Sequence, residues 1–374
     1  MSATADRSPA APFTTIPDID LGRWHDGPAA QAALADEVRR VCHEVGFFHL
    51  VGHGVPDRFR ARYFDHLQAF FQLPDDVKAQ IDKIRSRHFR GWERVGAELT
   101  DNRVDHREQL DVSTENPPYP ADAMPLYLRL DGPNQWLPDA VLPGFRTVVE
   151  ELFVRLGAVA DTMMSVMSVG LGLDPDHLRH VFGERPLSFA KLIRYPPTPD
   201  GEAGVNAHHD AGFLTLLMQH GVGGLQVQNQ VGDWIDVPPR DDAFVVNLGE
   251  MLQRMTGNYF VATTHRVVTT VPRYSSGYFH GPDVRTVLAP LPLDDSFAAA
   301  VAASPHHSTA GFMATRDELV AGSAGTASAS ADVFGRQMWN YYLRSYPANV
   351  RAHHPEVRPE AAVTTSSGAA THRG

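Results

Sequence analysis

The feature that most constrains the fold is a change of hydrophobic periodicity at Leu187. Before this point apolar residues recur at helical spacing, whereas from 187 to about 280 the chain divides into short β-type segments separated by turn residues. These segments are SFAKLIRY, NAHHD, FLTLLMQ, GGLQVQ, WIDVP, AFVVNLG, THRVVTT and SSGYFHG. Many short strands joined by Gly, Pro and Asp turns predict a sandwich or a closed barrel. A helical turn, GEMLQRMTG, interrupts them at 249–257.

Helical segments flank the strand-rich region on both sides. Apolar residues spaced three and four apart predict helices over 29–45, 56–71, 74–84, 142–173 and 333–350. The predicted fold class is mainly β with flanking helices. We divide the chain into a disordered tail (1–14), an N-terminal helical domain (15–120), supporting helices (121–186), a strand core (187–290), a C-terminal loop and helix (291–350) and a second tail (351–374). The run AGSAGTASASA at 321–331 predicts a flexible loop.

Charge and cysteine content exclude several classes of protein. A formal net charge of −11 argues against nucleic acid or an anionic membrane as the main partner. Cys42 is the only cysteine, so intramolecular disulfides and zinc-finger-type thiolate sites are excluded. The N-terminal stretch lacks the apolar core of a signal peptide, and no apolar run predicts a membrane span. We expect a cytoplasmic protein.

The run His208-His209-Asp210 is the candidate metal-binding motif. Side chains alternate between the two faces of a strand, so His208 and Asp210 are expected to share a face and His209 to point away. A later strand-like segment contributes His265, which could complete the set. Two histidines and one carboxylate form the facial arrangement of non-haem Fe(II) oxygenases, which leaves metal positions open.

Two other His-x-acid pairs satisfy the same short pattern. They are His106-x-Glu108 and His354-x-Glu356. No later segment supplies a third ligand for the first pair, and the second lies in the predicted tail beyond the last helix. Because a lone His-x-Asp or His-x-Glu pair is weak evidence, context favours the pair at 208–210.

Several motifs together resemble the isopenicillin N synthase-like family of Fe(II)/2-oxoglutarate-dependent oxygenases. The motifs are HHDAGFLTLLMQ, GGLQVQ, WIDVPP, AFVVNLGEMLQRMT, THRVV and RYSSGYFHGP. The earlier IDL and GFFHLVGHGVP segments resemble that family's N-terminal leader domain, which would occupy 15–120. The resemblance implies a double-stranded β-helix (jelly roll) core over 187–290. It also implies Fe(II) as cofactor and 2-oxoglutarate and O₂ as co-substrates.

The resemblance assigns roles to individual residues. It implies that His208, Asp210 and His265 are the iron ligands and the catalytic residues. The R-x-S pair Arg273 and Ser275 would bind the distal carboxylate of 2-oxoglutarate, and Tyr195 would touch the same co-substrate. An arginine can grip a carboxylate through two parallel hydrogen bonds. The sequence departs from the family at Ile193, where many relatives carry asparagine.

A weaker likeness to the bacterial ethylene-forming enzyme branch concerns the substrate pocket. Glu98, Thr100 and Arg344 match its pocket positions, whereas Ala211 replaces a tyrosine of that branch and leaves more room beside Phe213. The simpler alternative for Glu98 and Thr100 is a loop capped by its own polar side chains.

We therefore expect hydroxylation or desaturation of a small organic molecule in secondary metabolism, with release of succinate and CO₂. A 2-oxoglutarate-independent oxidase or cyclase, an ethylene-forming-type enzyme and a non-catalytic metal-binding jelly roll remain alternatives. The expected partner is a small molecule, with no nucleic acid or membrane. The expected oligomeric state is a monomer or weak homo-oligomer.

Overall fold

The computed structural model describes residues 11–100, 103–198, 202–304 and 333–357. The strands are β1 (Asp18–Asp20), β2 (Phe47–Val51), β3 (Gly91–Glu93), β4 (Leu99–Thr100), β5 (Arg103–Val104), β6 (Glu108–Ser113), β7 (Phe189–Tyr195), β8 (Val205–His208), β9 (Leu214–His220), β10 (Leu225–Gln228), β11 (Trp234–Val237), β12 (Phe244–Leu248), β13 (His265–Val267) and β14 (Arg273–His280). The α-helices are α1 (Pro28–Glu44), α2 (Asp57–Gln72), α3 (Asp75–Lys78), α4 (Phe145–Gly170), α5 (His177–Val181), α6 (Glu250–Met255), α7 (Asp295–Ala303), α8 (Phe334–Ser345) and α9 (Pro347–His353).

The strands form two main sheets. The larger has eight strands in the order β1-β2-β12-β9-β14-β7-β6-β3, and the smaller has four in the order β11-β10-β13-β8. The larger sheet is mixed, because β1 pairs with β2 in parallel while its other strand pairs are antiparallel. Long helices account for much of the described chain, so it is more helical than the predicted mainly β fold.

Helix α4 supports the large sheet from the outside. The predicted apolar stripe of this helix is confirmed, since Val148, Leu152, Leu156, Val159, Met163 and Met167 are all buried. Phe153 of α4 packs edge-on against Tyr278 of β14 at 5.5 Å between ring centroids. Among the described residues α4 is the one helix long and apolar enough to cross a membrane, but 56% of its apolar window is buried inside the molecule. That burial is typical of a core helix.

The chain ends differ from the two predicted tails. In the tail predicted over 351–374, α9 continues to His353, and His354 is fully buried beside the Phe89 ring. This part is ordered because aromatic packing holds it against the body of the molecule. Near the start, the Phe13 N–H donates to Gln230, so 11–14 also contact the core. Residues 1–10, 358–374 and the loop predicted at 321–331 lie outside the described residues.

Candidate metal centre

The candidate metal-binding cluster of His208, Asp210 and His265 forms where two strands of the smaller sheet meet. Strand β8 ends at His208, β13 begins at His265, and these two residues are directly paired. Asp210 lies in the connection just after β8. The ligand atoms of the three residues all lie within 4.8 Å of one another. Asp210 Oδ1 is 3.7 Å from His208 Nε2 and 3.8 Å from His265 Nε2.

The structure brings His208 and Asp210 together and leaves His209 outside the cluster, which is the arrangement expected from the sequence. Asp210 lies two residues after the end of β8, in the connection to β9. Its backbone is tied to the start of α6, where the Glu250 N–H donates to the Asp210 carbonyl at 2.8 Å.

Backbone carbonyls set the tautomer of both histidines. His208 Nδ1 lies 2.8 Å from the Asn206 carbonyl, and His265 Nδ1 lies 3.1 Å from the Thr263 carbonyl. A carbonyl oxygen can only accept, so each Nδ1 carries the proton and donates. Each Nε2 is then a free lone pair directed at the cluster, as a metal ligand requires.

The protonation states of His208 and Asp210 fit a divalent metal. Burial, helped by neighbouring His265, lowers the pKa of His208 to about 3, so this imidazole is neutral near pH 7. Burial opposes ionisation of Asp210, but His265, His208 and hydrogen bonds from Thr215 and Asn247 outweigh it and lower the pKa of the carboxyl. Neutral imidazoles and an ionised carboxylate are the forms that bind a metal ion.

His209 points away from the cluster. Its Nε2 lies 2.8 Å from Thr264 Oγ1, and its Nδ1 lies 4.0 Å from Glu250 Oε1. The other two His-x-acid pairs have structural roles: His106 pairs with Glu202, and His354 Nε2 bonds the Arg87 carbonyl at 3.0 Å.

The three predicted co-substrate residues lie together on two paired strands. Arg273 and Tyr195 are directly opposite across β14 and β7, with the guanidinium 4.8 Å from the tyrosine ring centroid. Arg273 Nη1 donates to Ser275 Oγ at 3.0 Å and Nη2 to Gln219 Oε1 at 2.9 Å. No sequence motif marked Gln219 as a site residue. Its position was the one available clue, because Thr215, Leu217 and Gln219 alternate along β9 and therefore share one face.

Arg273 is a buried cation without a counter-ion. It is fully buried, its Nε has no partner, and no carboxylate lies within salt-bridge distance among the residues that the structure describes. Burial lowers the pKa of this guanidinium. Since uncompensated buried charge is costly, this position fits an anionic ligand. Ile193, at the expected asparagine position, is buried among apolar side chains and offers no contact to one.

A cavity of about 740 Å³ adjoins the cluster. The predicted substrate residues all line it, namely Glu98, Thr100, Ala211, Phe213 and Arg344. Arg273, Ser275 and Tyr195 do not line this cavity. One wall comes from α8, which contributes Met338, Tyr341 and Arg344.

The Glu98 carboxylate is fully engaged by the protein. It accepts from Lys191 Nζ at 2.7 and 2.9 Å, from Arg107 Nη2 at 2.5 Å, and from the hydroxyls of Tyr341 at 2.9 Å and Tyr346 at 2.8 Å. Burial would raise the pKa of Glu98, but Arg107 and Lys191 outweigh it and hold the pKa well below its usual range. This carboxylate has little capacity left for a substrate cation.

Thr100 is likewise occupied, since its hydroxyl donates to Asp105 at 2.6 Å. For Glu98 and Thr100 the structure therefore favours the simpler alternative of a loop held by its own polar groups over the ethylene-forming-type pocket. The Lys191 and Tyr346 partners were not visible from sequence, because they lie 93 and 248 positions away from Glu98.

Two family models match the chain. The non-haem dioxygenase N-terminal model covers residues 16–139, and the 2OG-Fe(II) oxygenase superfamily model covers 186–282. A 2-oxoglutarate-dependent dioxygenase of Dothideomycetidae sp. (strain 11243) is 36% identical over 77% of this chain and 79% of its own length. Another, from Gibberella zeae, is 33% identical over 69% of each chain.

A solved structure agrees with these matches. The crystal structure of a full-length Neurospora crassa protein in complex with alpha-KG and thymine superposes with a TM-score of 0.66 at 25% identity, over 75% of this chain and 91% of that one. These three relatives are fungal, which corrects the expected bacterial branch. With the paired histidines, the aspartate and the uncompensated arginine, they show that the chain belongs to the 2OG-Fe(II) oxygenase superfamily and is an Fe(II)- and 2-oxoglutarate-dependent dioxygenase.

Proposed function

We propose that His208, Asp210 and His265 hold the iron, and that the enzyme hydroxylates or desaturates a small organic molecule bound in the adjoining cavity. The observation that carries this proposal is the convergence of three ligand atoms within 4.8 Å beside a cavity of about 740 Å³. A cavity of this size suits a drug-sized molecule.

The co-substrate would lie between the iron ligands and Arg273. Its distal carboxylate would accept from the guanidinium and from Ser275, replacing Gln219 Oε1, which now occupies one donor. The Tyr195 ring would lie against the Arg273 guanidinium and limit its movement. Bound there, iron and 2-oxoglutarate supply with O₂ the oxidising chemistry that removes a substrate hydrogen, with release of succinate and CO₂. The protein orients both partners and excludes water from the site.

An aromatic pair in the wall of the cavity supports a flat substrate. Phe189 and Phe279 line it as a stacked pair with ring centroids 4.4 Å apart, and Ala211 leaves space next to Asp210. Arg344 at the rim would contact a polar substituent. The engaged Glu98 carboxylate argues against an arginine substrate of the ethylene-forming type. The Neurospora crassa protein was crystallised with thymine, also a flat ring.

Several broader features belong to the same proposal. The two sheets would form a double-stranded β-helix, supported by Asp210, which contacts histidines of the smaller sheet and Thr215 and Asn247 of the larger. Residues 15–120 would form the leader domain and 187–290 the oxygenase core. A net charge of −11 argues against nucleic-acid and anionic-membrane partners, and we propose a cytoplasmic enzyme. We further propose a monomer or weak homo-oligomer.

One anaerobic experiment tests the residue assignments. Fe(II) and 2-oxoglutarate are added, the visible charge-transfer band of the chelate is recorded, and O₂ is then admitted and succinate assayed. The wild-type protein should show the band and form succinate, and His265→Ala should show neither. An unchanged band in His265→Ala would refute the ligand assignment. Because no substrate is supplied, the succinate should form slowly and uncoupled, and a wild-type protein with neither band nor succinate would refute the proposal.

A further inference from the structure

A pair of polar residues on neighbouring strands of the large sheet contacts the metal cluster. Thr215 of β9 and Asn247 of β12 are directly opposite in the strand register. Thr215 Oγ1 and Asn247 Nδ2 each lie 2.6 Å from Asp210 Oδ2. A carboxylate oxygen can only accept, so both groups donate, and both donate to the same oxygen.

The two oxygens of Asp210 are therefore not equivalent. Oδ2 carries both hydrogen bonds, while Oδ1 lies 3.7 and 3.8 Å from the two histidine Nε2 atoms. Thr215 and Asn247 are buried, and their side chains make no other hydrogen bond to residues that the structure describes. Two charge-assisted hydrogen bonds to Oδ2 fix the orientation of the carboxylate about its Cβ–Cγ bond.

From this geometry we propose that Thr215 and Asn247 are positioning residues that restrict Asp210 to a single metal-facing oxygen. The proposal rests on the assignment of His208, Asp210 and His265 as iron ligands. A carboxylate that binds through one oxygen leaves three adjacent positions on a six-coordinate iron, enough for a chelating co-substrate and O₂. A carboxylate that binds through both oxygens leaves only two.

The backbone around Asp210 is held independently of these two side chains. Three N–H groups at the start of α6 bond the 210–213 turn: Gly249 to Phe213, Glu250 to Asp210 and Met251 to Gly212. Gly249 itself permits this contact, because an added Cβ would lie 2.2 Å from the Gly212 carbonyl oxygen. Removing the Thr215 hydroxyl or the Asn247 amide should therefore free the carboxylate without displacing the turn.

The test compares Thr215→Val, which keeps the side-chain shape, with Thr215→Ser, which keeps the hydroxyl. A double variant, Thr215→Val with Asn247→Leu, removes both donors. Thr198→Val is the matched control, since the Thr198 hydroxyl is buried and bonds the Thr269 carbonyl away from the cluster. Fe(II) affinity is measured by anaerobic equilibrium dialysis, and 2-oxoglutarate half-saturation by the visible band at saturating Fe(II).

We expect the double variant to need roughly tenfold more 2-oxoglutarate for half-saturation, the lower end of the roughly 10–100-fold that loss of a metal ligand's partner costs in metal affinity or activity. Its Fe(II) affinity should fall by a smaller factor. Thr215→Val should also lose more affinity for 2-oxoglutarate than for Fe(II), but by smaller factors than the double variant. Thr215→Ser and Thr198→Val should behave as wild type. If the double variant does not fold, the Thr215→Val and Thr215→Ser pair decides.

Two results would overturn the proposal. One is a 2-oxoglutarate half-saturation within threefold of wild type in the variants that lack donors. The other is a loss of Fe(II) affinity as large as the loss for 2-oxoglutarate, which indicates a purely structural role. A wrong assignment of the iron ligands can be told apart from a wrong positioning role, because the wild-type protein itself would then show no iron-dependent band.

Discussion

Replacing Arg273 by methionine tests whether this buried cation is kept for an anionic ligand. The guanidinium has only neutral partners among the described residues, Ser275 and Gln219, and lies against the Tyr195 ring. Methionine fills a similar volume without charge. The variant loses the cost of burying a cation but leaves two neutral groups without their donor, at about 1–3 kcal/mol each. Because these effects oppose each other, we expect the ligand-free variant to fold with stability close to wild type.

Affinity for 2-oxoglutarate should change far more than stability. A hydrogen bond to a charged group contributes about 1.5–3 kcal/mol, and the guanidinium can form two with a carboxylate. Their loss amounts to about 3–6 kcal/mol, or roughly a hundredfold to ten-thousandfold in dissociation constant at 1.4 kcal/mol per factor of ten. Arg273→Lys should be intermediate, because it keeps the charge and loses the planar fork.

The assay is denaturant unfolding with and without 2-oxoglutarate, combined with titration of the visible band. Ligand at a hundred times its dissociation constant should stabilise the wild-type protein by about 2.7 kcal/mol and should leave Arg273→Met unchanged. A half-saturation of Arg273→Met within threefold of wild type would refute the assignment. The assignment would also be refuted if Arg273→Met were unfolded without ligand, because Arg273 would then be required for the fold.

Three further predictions concern other buried polar groups. His208→Ala should abolish the visible band, whereas His209→Ala should keep it, and the reverse result would contradict the geometry of the cluster. Glu98→Leu leaves the Arg107 cation without its nearest partner, so denaturant unfolding should show a loss of about 3–5 kcal/mol, and a loss below about 1 kcal/mol would show that the ion pairs are not structural. Burial lowers the pKa of His88 to about 4, so the folded state disfavours its protonation and stability should fall as pH decreases from 6.5 to 4, by up to about 1.4 kcal/mol per pH unit. His88→Asn should flatten this slope, and an identical slope would contradict it.

Local sequence patterns predicted most helices and strands to within a few residues. The helix expected at 29–45 spans Pro28–Glu44, and the strand SFAKLIRY spans Phe189–Tyr195. These elements were accessible because periodicity and turn residues act over a few positions. The cluster of His208, Asp210 and His265 was accessible too, because the short spacing of the first two and a later strand-like histidine were visible in the sequence.

What local patterns could not reveal is pairing between distant segments. Thr215 and Asn247 meet only because β9 lies next to β12 in one particular register. Gln219 reaches Arg273 across another strand pair, and α9 is ordered by contacts with residues more than two hundred positions earlier. Such contacts depend on the complete fold, which the sequence predicts only as a class.

The number of hydrogen-bond and ion-pair partners distinguishes two kinds of buried charged side chain in this molecule: those suited to bind a ligand and those that hold the fold together. Arg273 and Glu98 look alike in the sequence, as charged residues near recognisable motifs. In the fold, Arg273 has neutral acceptors and no counter-ion among the described residues, while Glu98 has five hydrogen bonds from two cations and two hydroxyls. A buried charge that lacks an opposite charge gains most from a ligand, whereas one with every oxygen occupied gains little. The same criterion explains why Asp210, with one oxygen bonded and one turned to the histidines, suits a metal that must keep positions open.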